Sequence, residues 1–121
     1  MRRAHRLRDT EDFRRVRRLG RSWAHPLMVL FAAPNGEDRI RVGVSVSKRV
    51  GGAVVRNRVK RRIRENVRLR LEAMVPGSDL LFIVRPAAAE ATGADVSKAV
   101  ERVLVLAGLM ATEPCSALPR G

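Results

Sequence analysis

Between Lys48 and Arg70 the chain carries ten Lys or Arg and a single acid, Glu65. Cations at this density do the chemistry of phosphate binding. Arginine offers a planar fork of donors that holds a phosphate bidentately or stacks on a base. Asn57, set among them, both donates and accepts, which suits a base edge or a sugar. The groups that would break bonds do not cluster. His5 and His25 stand apart, one in a basic lead-in and one before Pro26. Asp9, Glu11 and Asp12 read as helix-start residues rather than as a carboxylate pair. Cys115, the one cysteine, has no activating base beside it and makes neither an internal disulfide nor a cysteine-rich metal site. The reading therefore assigns no catalytic residue and no metal ligand.

The apolar residues of the same stretch say what must position those cations. Val55, Val59, Ile63, Val67 and Leu71 step by four, and Met74 follows three later. That is the stripe of an amphipathic helix. At 100° per residue Arg64, Asn57, Arg68 and Arg61 fall within about 60° of one another on the far side. The spacing predicts one long helix from Ala53 to Met74, stopped by Pro76-Gly77, with one side buried and that line of polar residues facing outward. Gly51-Gly52 just before it would let the backbone approach a phosphate.

The flanking chain supplies a sheet and two more helices. Thr10 with Glu11 and Asp12 starts a short helix bearing Phe13, Val16 and Leu19, and Gly20 ends it. Its four arginines, Arg14, Arg15, Arg17 and Arg18, repel one another, so it needs a surface to dock on. Arg21–Ala24 and Leu27–Ala33 read as strands around His25-Pro26. Pro34-Asn35-Gly36-Glu37-Asp38 is turn chemistry. Arg39–Ser47 alternates, with Ile40, Val42, Val44 and Val46 on one face and Arg39, Arg41, Gly43, Ser45 and Ser47 on the other. This predicts an antiparallel hairpin with the preceding strand, its small and basic face suited to close approach by another backbone or by phosphates. Leu80–Val84 is a further strand, and Val96, Val100, Val103, Leu104, Ala107 and Met110 mark a last helix. The expected architecture is a single α+β domain over 10–110, with a mixed sheet packed by helices. A flexible basic arm precedes it at 1–9 and a disordered tail follows at 111–121.

Composition narrows the partner. The 121 residues hold 25 Lys or Arg against 12 acids, a formal net charge of +13. Nineteen of those cations lie in two blocks, nine in residues 1–21 and ten in 48–70. A solvated surface mixes signs and these blocks do not, so the charge points to nucleic acid. No apolar run reaches the length of a membrane span, and the long helix lacks Trp or Phe anchors for a membrane surface. No membrane partner is expected. The single cysteine fits a reduced, cytoplasmic setting. Zinc-finger spacing and zipper heptads are missing, and the flanks of the long helix read as strands, which excludes a helix-turn-helix.

Two blocks then carry a specific resemblance. Arg56-Asn57-Arg58-Val59-Lys60-Arg61-Arg62-Ile63-Arg64, preceded by Arg41-Val42-Gly43-Val44-Ser45-Val46-Ser47-Lys48-Arg49-Val50-Gly51, resembles the signature of the protein subunit of bacterial ribonuclease P. Glu11-Asp12-Phe13, with Gly20 after it, matches as well. The resemblance implies an αβββαβα order with a left-handed βαβ crossover, against the usual hand. It implies a subunit of an endoribonuclease that removes the 5′ leader of precursor tRNA. Its large RNA carries the active site and requires Mg²⁺; the protein binds no cofactor itself. Its partners would be ribonuclease P RNA and precursor tRNA. Lys48, Arg49, Arg56, Asn57, Arg58, Lys60, Arg61, Arg64 and Arg68 would face the catalytic RNA, with Arg62 and Arg70 as bystanders. Phe13 and Phe31 would line a leader cleft between the first helix and the sheet. Arg17 stands in that cleft where many members carry an aromatic, which implies a more electrostatic grip on the leader. Two alternatives remain at this stage: another structural RNA-binding protein of α+β type, and an autonomous nuclease.

Overall fold

The computed structural model describes residues 6–7 and 10–111. Three helices and four strands follow in the order α1 (Thr10–Leu19), β1 (Arg21–Ala24), β2 (Met28–Pro34), β3 (Arg41–Ser45), α2 (Ala53–Arg68), β4 (Ser78–Val84) and α3 (Gly93–Leu106). This is the αβββαβα order in a single α+β domain. All of the expected tail but Ala111, and most of the expected arm, lie outside the described residues. Within that arm, Leu7 is buried and its N–H donates to Val42 O at 2.8 Å, so Arg6 and Leu7 run along the free edge of β3.

The strand order is β1-β2-β4-β3, antiparallel except for the parallel β3–β4 pair. The hairpin expected between β2 and β3 is therefore corrected: β4 lies between them. Its run Asp79-Leu80-Leu81-Phe82-Ile83-Val84 is apolar on both faces, and Leu80, Leu81 and Phe82 are fully buried or nearly so. Such a strand must be central and covered on both sides. The β2–β3 turn then spans β4 instead of closing a hairpin, and α2 forms the crossover from β3 to β4.

The sheet separates two apolar layers. On one face Leu30, Val42, Val44, Leu80 and Phe82 pack against Val59, Ile63 and Val67 of α2 and Val96, Val100, Val103 and Leu104 of α3. On the other, Leu7, Val16, Ala33 and Leu81 form a smaller cluster with Phe13, Phe31 and Ile83. α2 is six residues shorter than its periodicity predicts. It ends at Arg68, and a 3₁₀ turn follows at Leu71–Ala73. Tertiary pairing takes over there, because Met74 bridges Met110 and Val75 N–H donates to Leu109 O at 2.8 Å. α3 starts with a capping box in which Thr92 and Asp95 each bond the other's backbone N–H.

The small face of β3 is taken by another backbone, one of the two neighbours its composition suits, and by an aromatic ring. A Cβ on Gly43 would lie 2.6 Å from Phe13 Cε1 and 3.1 Å from Leu7 O. Glycine is required there because the aromatic ring and the arm backbone rest on the strand. Arg41 turns inward to Asp79, the buried acid at the start of β4. Burial pushes the Asp79 carboxyl up, but hydrogen bonds from Arg41, Asn35 and Arg15 outweigh it and hold the carboxyl below its ordinary value.

Candidate nucleic-acid interface

Local structure presents the cations of α2 in three ways. Asn57, Lys60, Arg61 and Arg64 surround one recess of about 350 Å³ on the solvent side of the helix. Among the described residues no carboxylate lies within ion-pair distance of Lys48, Arg49, Arg56, Lys60 or Arg61. Lys48 and Arg49 are exposed in the turn that leads into the helix. Gly51 follows at φ +157, where a side chain would be strained and would crowd Val55. The N-cap is Gly52, without a side-chain acceptor, and the first turn holds no acid. The positive end of the helix dipole therefore adds to the field of the side chains.

A second group is turned inward. Arg58 Nη2 donates to Ala89 O at 3.0 Å and Arg62 Nη1 to Ala91 O at 3.1 Å. Arg70 bonds Asn66 O at 2.9 Å, Ser97 Oγ at 3.0 Å and Glu101 Oε1 at 3.4 Å. These arginines fasten α2 to the segment before α3 and to α3 itself. Arg62 and Arg70 were expected to be bystanders. Arg58, expected to face RNA, is half-buried and already shares its guanidinium with a backbone carbonyl. Arg68 forms a third case. It is exposed and hydrogen-bonded to Glu65, which raises the guanidinium pKa and lowers that of the Glu65 carboxyl. Its charge is paired in place.

Arg6 was missed as a participant. It joins Arg61, Arg62, Arg64, Glu65 and Asn66 around a neighbouring recess of about 450 Å³. Only the pairing of Arg6 with Val42 of β3 brings it there, and no local pattern in the sequence announces that pairing.

On the opposite layer, α1 brings Phe13, Arg17 and Phe31 together. Phe13 and Phe31 are half-buried, and the Arg17 guanidinium carbon lies 5.8 Å from the Phe31 ring centroid. A cation over an aromatic face at that distance is attractive, by about 0.5–1 kcal/mol at an exposed site. Arg17 covers the face on which a base would stack and presents its outward donors instead. Gly20 closes the end of α1, where a Cβ would meet Val16 O at 2.4 Å and Ala32 O at 2.6 Å. Among the described residues no group of three or more His, Cys, Asp or Glu is placed to hold a metal ion, and no helix is long and apolar enough to cross a membrane.

The fold is a three-layer α+β domain in which one helix presents a basic face to solvent. The comparisons make the class specific. The profile of the family described as Ribonuclease P matches residues 1–108. The chain is 49% identical over 111 residues to the ribonuclease P protein component of Roseiflexus castenholzii, covering 91% of each. It is 48% identical over 109 residues to that of Herpetosiphon aurantiacus, covering 90% of this chain and 89% of the relative. Among solved structures, the RNase P protein of Staphylococcus aureus superposes with a TM-score of 0.83 at 34% identity, covering 88% of this chain and 97% of that one. The RNase P protein of Thermotoga maritima gives 0.74 at 28% identity, covering 89% and 97%. The chain belongs to the ribonuclease P protein family and so has a role in an endoribonuclease ribonucleoprotein of tRNA processing.

Proposed function

We propose that this chain binds the catalytic RNA of ribonuclease P through the outward face of α2 and holds the 5′ leader of precursor tRNA between α1 and the sheet. The observation that carries this reading is the sorting of α2. Asn57, Lys60, Arg61 and Arg64 line one recess facing solvent, while Arg58, Arg62 and Arg70 are spent on internal bonds. Lys48, Arg49 and Arg56 extend this outward face at its N-terminal end. Arg68 joins it when RNA phosphate displaces Glu65.

Phosphate neutralisation along such a face gives affinity and sets register, with little reading of sequence. The chemistry belongs to the RNA, together with its Mg²⁺. The buried acid among the described residues, Asp79, is fully engaged by arginine and asparagine and serves no substrate. In the cleft, Arg17 on Phe31 offers the leader a charged clamp in place of an open stacking ring. The protein acts in the cytoplasm by positioning the precursor and by screening the charge that metal ions would otherwise have to screen.

The test is reconstitution. The protein is mixed with a bacterial ribonuclease P RNA and a precursor tRNA at low Mg²⁺, alongside protein-only and RNA-only controls. Accurate 5′ cleavage stimulated only in the mixture is expected. Absence of stimulation would refute the proposal, and cleavage by the protein alone would favour an autonomous nuclease.

A further inference from the structure

α1 is a ten-residue helix with one fully buried side chain, Val16. At 100° per residue, Arg15 and Arg17 lie about 100° to either side of Val16, and Phe13 falls on the Arg17 side. The Arg17 flank carries the proposed leader cleft. The Arg15 flank carries an ion pair to Asp79, which is wholly buried at the start of β4.

The surroundings of Asp79 are unusually complete. Arg41 Nε donates to Oδ1 at 2.8 Å and Arg41 Nη2 to Oδ2 at 2.7 Å. Asn35 Nδ2 donates to Oδ1 at 3.0 Å and also to Arg39 O at 3.0 Å. Arg15 Nη2 bonds Oδ2, with Asp12 3.6 Å away on the same helix. One carboxylate thus ties α1, β3 and the β2–β3 connection to β4. A buried ion cluster is a weak source of stability compared with apolar side chains of similar volume. Orientation is what it supplies. The apolar patch beneath α1 is small, with Val16 fully buried and Phe13 half-buried on it, and apolar contacts this few fix the roll of a helix less sharply than a directional bond does.

We propose that Asp79 is a positioning residue for the leader cleft: through Arg15 it sets the roll of α1 on the sheet, and with it the placement of Phe13 and Arg17 relative to Phe31. Asp79 is buried and touches no RNA. This inference rests on the leader occupying that cleft.

Two variants separate positioning from contact. Arg15→Met cuts the links from α1 to Asp79 and to Pro34 O, 3.5 Å away, and leaves Arg41 and Asn35 on Asp79, so the sheet keeps its own bonds; Asp79→Asn tells the two links apart. Asp79→Asn removes the charge and leaves Arg15 in place. Each is assembled with ribonuclease P RNA, and affinity is measured for precursor tRNA and for the same tRNA without its leader. Amide exchange of α1 is followed in the RNA-free protein.

The leader-dependent gain in affinity should fall about tenfold in Arg15→Met, the size of one lost charged hydrogen bond. Affinity for leaderless tRNA should hold within about twofold, and exchange of α1, but not of α2, should speed up. Asp79→Asn should lose the same leader preference. An unchanged leader preference in Arg15→Met overturns the inference. So does a lost preference with unchanged α1 exchange, because Arg15 would then act on RNA directly. Tighter leader binding by Asp79→Asn, from a freed Arg15, overturns it too. Should Asp79→Asn not fold, Asp79→Glu takes its place: the longer carboxylate shifts Arg15, and the same loss of leader preference is expected, an unchanged preference overturning the inference. A wild-type assembly indifferent to the leader overturns the cleft assignment itself, a result distinct from a loss seen only in the variants.

Discussion

Replacing Gly43 with alanine tests whether Phe13 is seated by β3. The added methyl would stand 2.6 Å from Phe13 Cε1, 2.9 Å from Cζ and 3.1 Å from Leu7 O. Ordinary contact begins near 3.4 Å, so the ring must retreat by most of an ångström. The Leu7 carbonyl is backbone, held by the adjacent bond from Leu7 N to Val42 O at 2.8 Å, and gives little. Overpacking of this kind costs about 1–3 kcal/mol. Alanine recovers roughly 0.5–1 kcal/mol over glycine in a strand. The net expectation is a loss of about 1–2 kcal/mol, or roughly 4–10 °C in Tm for a domain of this size. Urea denaturation followed by circular dichroism should show a lower midpoint at unchanged slope. Leader-dependent affinity should fall with it, since the displaced ring lies in the cleft. A variant as stable as wild type with full leader preference would refute the placement of Phe13.

The division of α2 predicts opposite phenotypes. Arg61→Ala should leave the urea midpoint unchanged and flatten the salt dependence of RNA affinity by about one phosphate contact. Arg70→Met should cost about 1–2 kcal/mol of stability through its lost bonds to Asn66 and Ser97, with the salt dependence intact. Arg17→Phe should restore a stacking ring and reduce the salt dependence of leader affinity, measured as a binding series in KCl; an unchanged slope would count against an electrostatic clamp. Acid titration should expose Asp79. Its carboxyl is held below the ordinary 3.8, so its contribution is complete above that value and is lost as pH falls through the folded-state pKa. Glu65, held down by its bond from Arg68, and Asp95, held down by Thr92, are lowered as well and add their own acid dependence. The difference between wild type and Asp79→Asn in urea midpoint from about pH 6 to about pH 3 isolates Asp79, and it should shrink toward the acid end.

The helical period of Val55, Val59, Ile63 and Val67 was enough to place α2 and its outward line, because a 16-residue amphipathic helix is a local pattern. The element order was legible for the same reason. The pairing of strands was not. The alternation of residues 39–47 identifies a strand but not its neighbour, and the turn at 34–38 favours a hairpin. The decisive signal was the unbroken apolar run of β4, which has no polar face and so cannot sit at an edge. Asp79 was equally silent, since an acid beside an apolar strand is read as its polar end until Arg15, Arg41 and Asn35 converge on it from three distant segments. The inward turn of Arg58 depends on Ala89, 31 residues away. No periodicity within the helix reports it.

The central claim is that the Asn57–Arg64 face of α2 lies against the catalytic RNA. A hydroxyl-radical source tethered through Asn57→Cys, in a Cys115→Ser background, tests it within the assembled ribonucleoprotein. The account predicts scission concentrated in the ribonuclease P RNA, with the same tether at Lys98→Cys on α3 giving little. Scission confined to the tRNA, or equal from both positions, would contradict it.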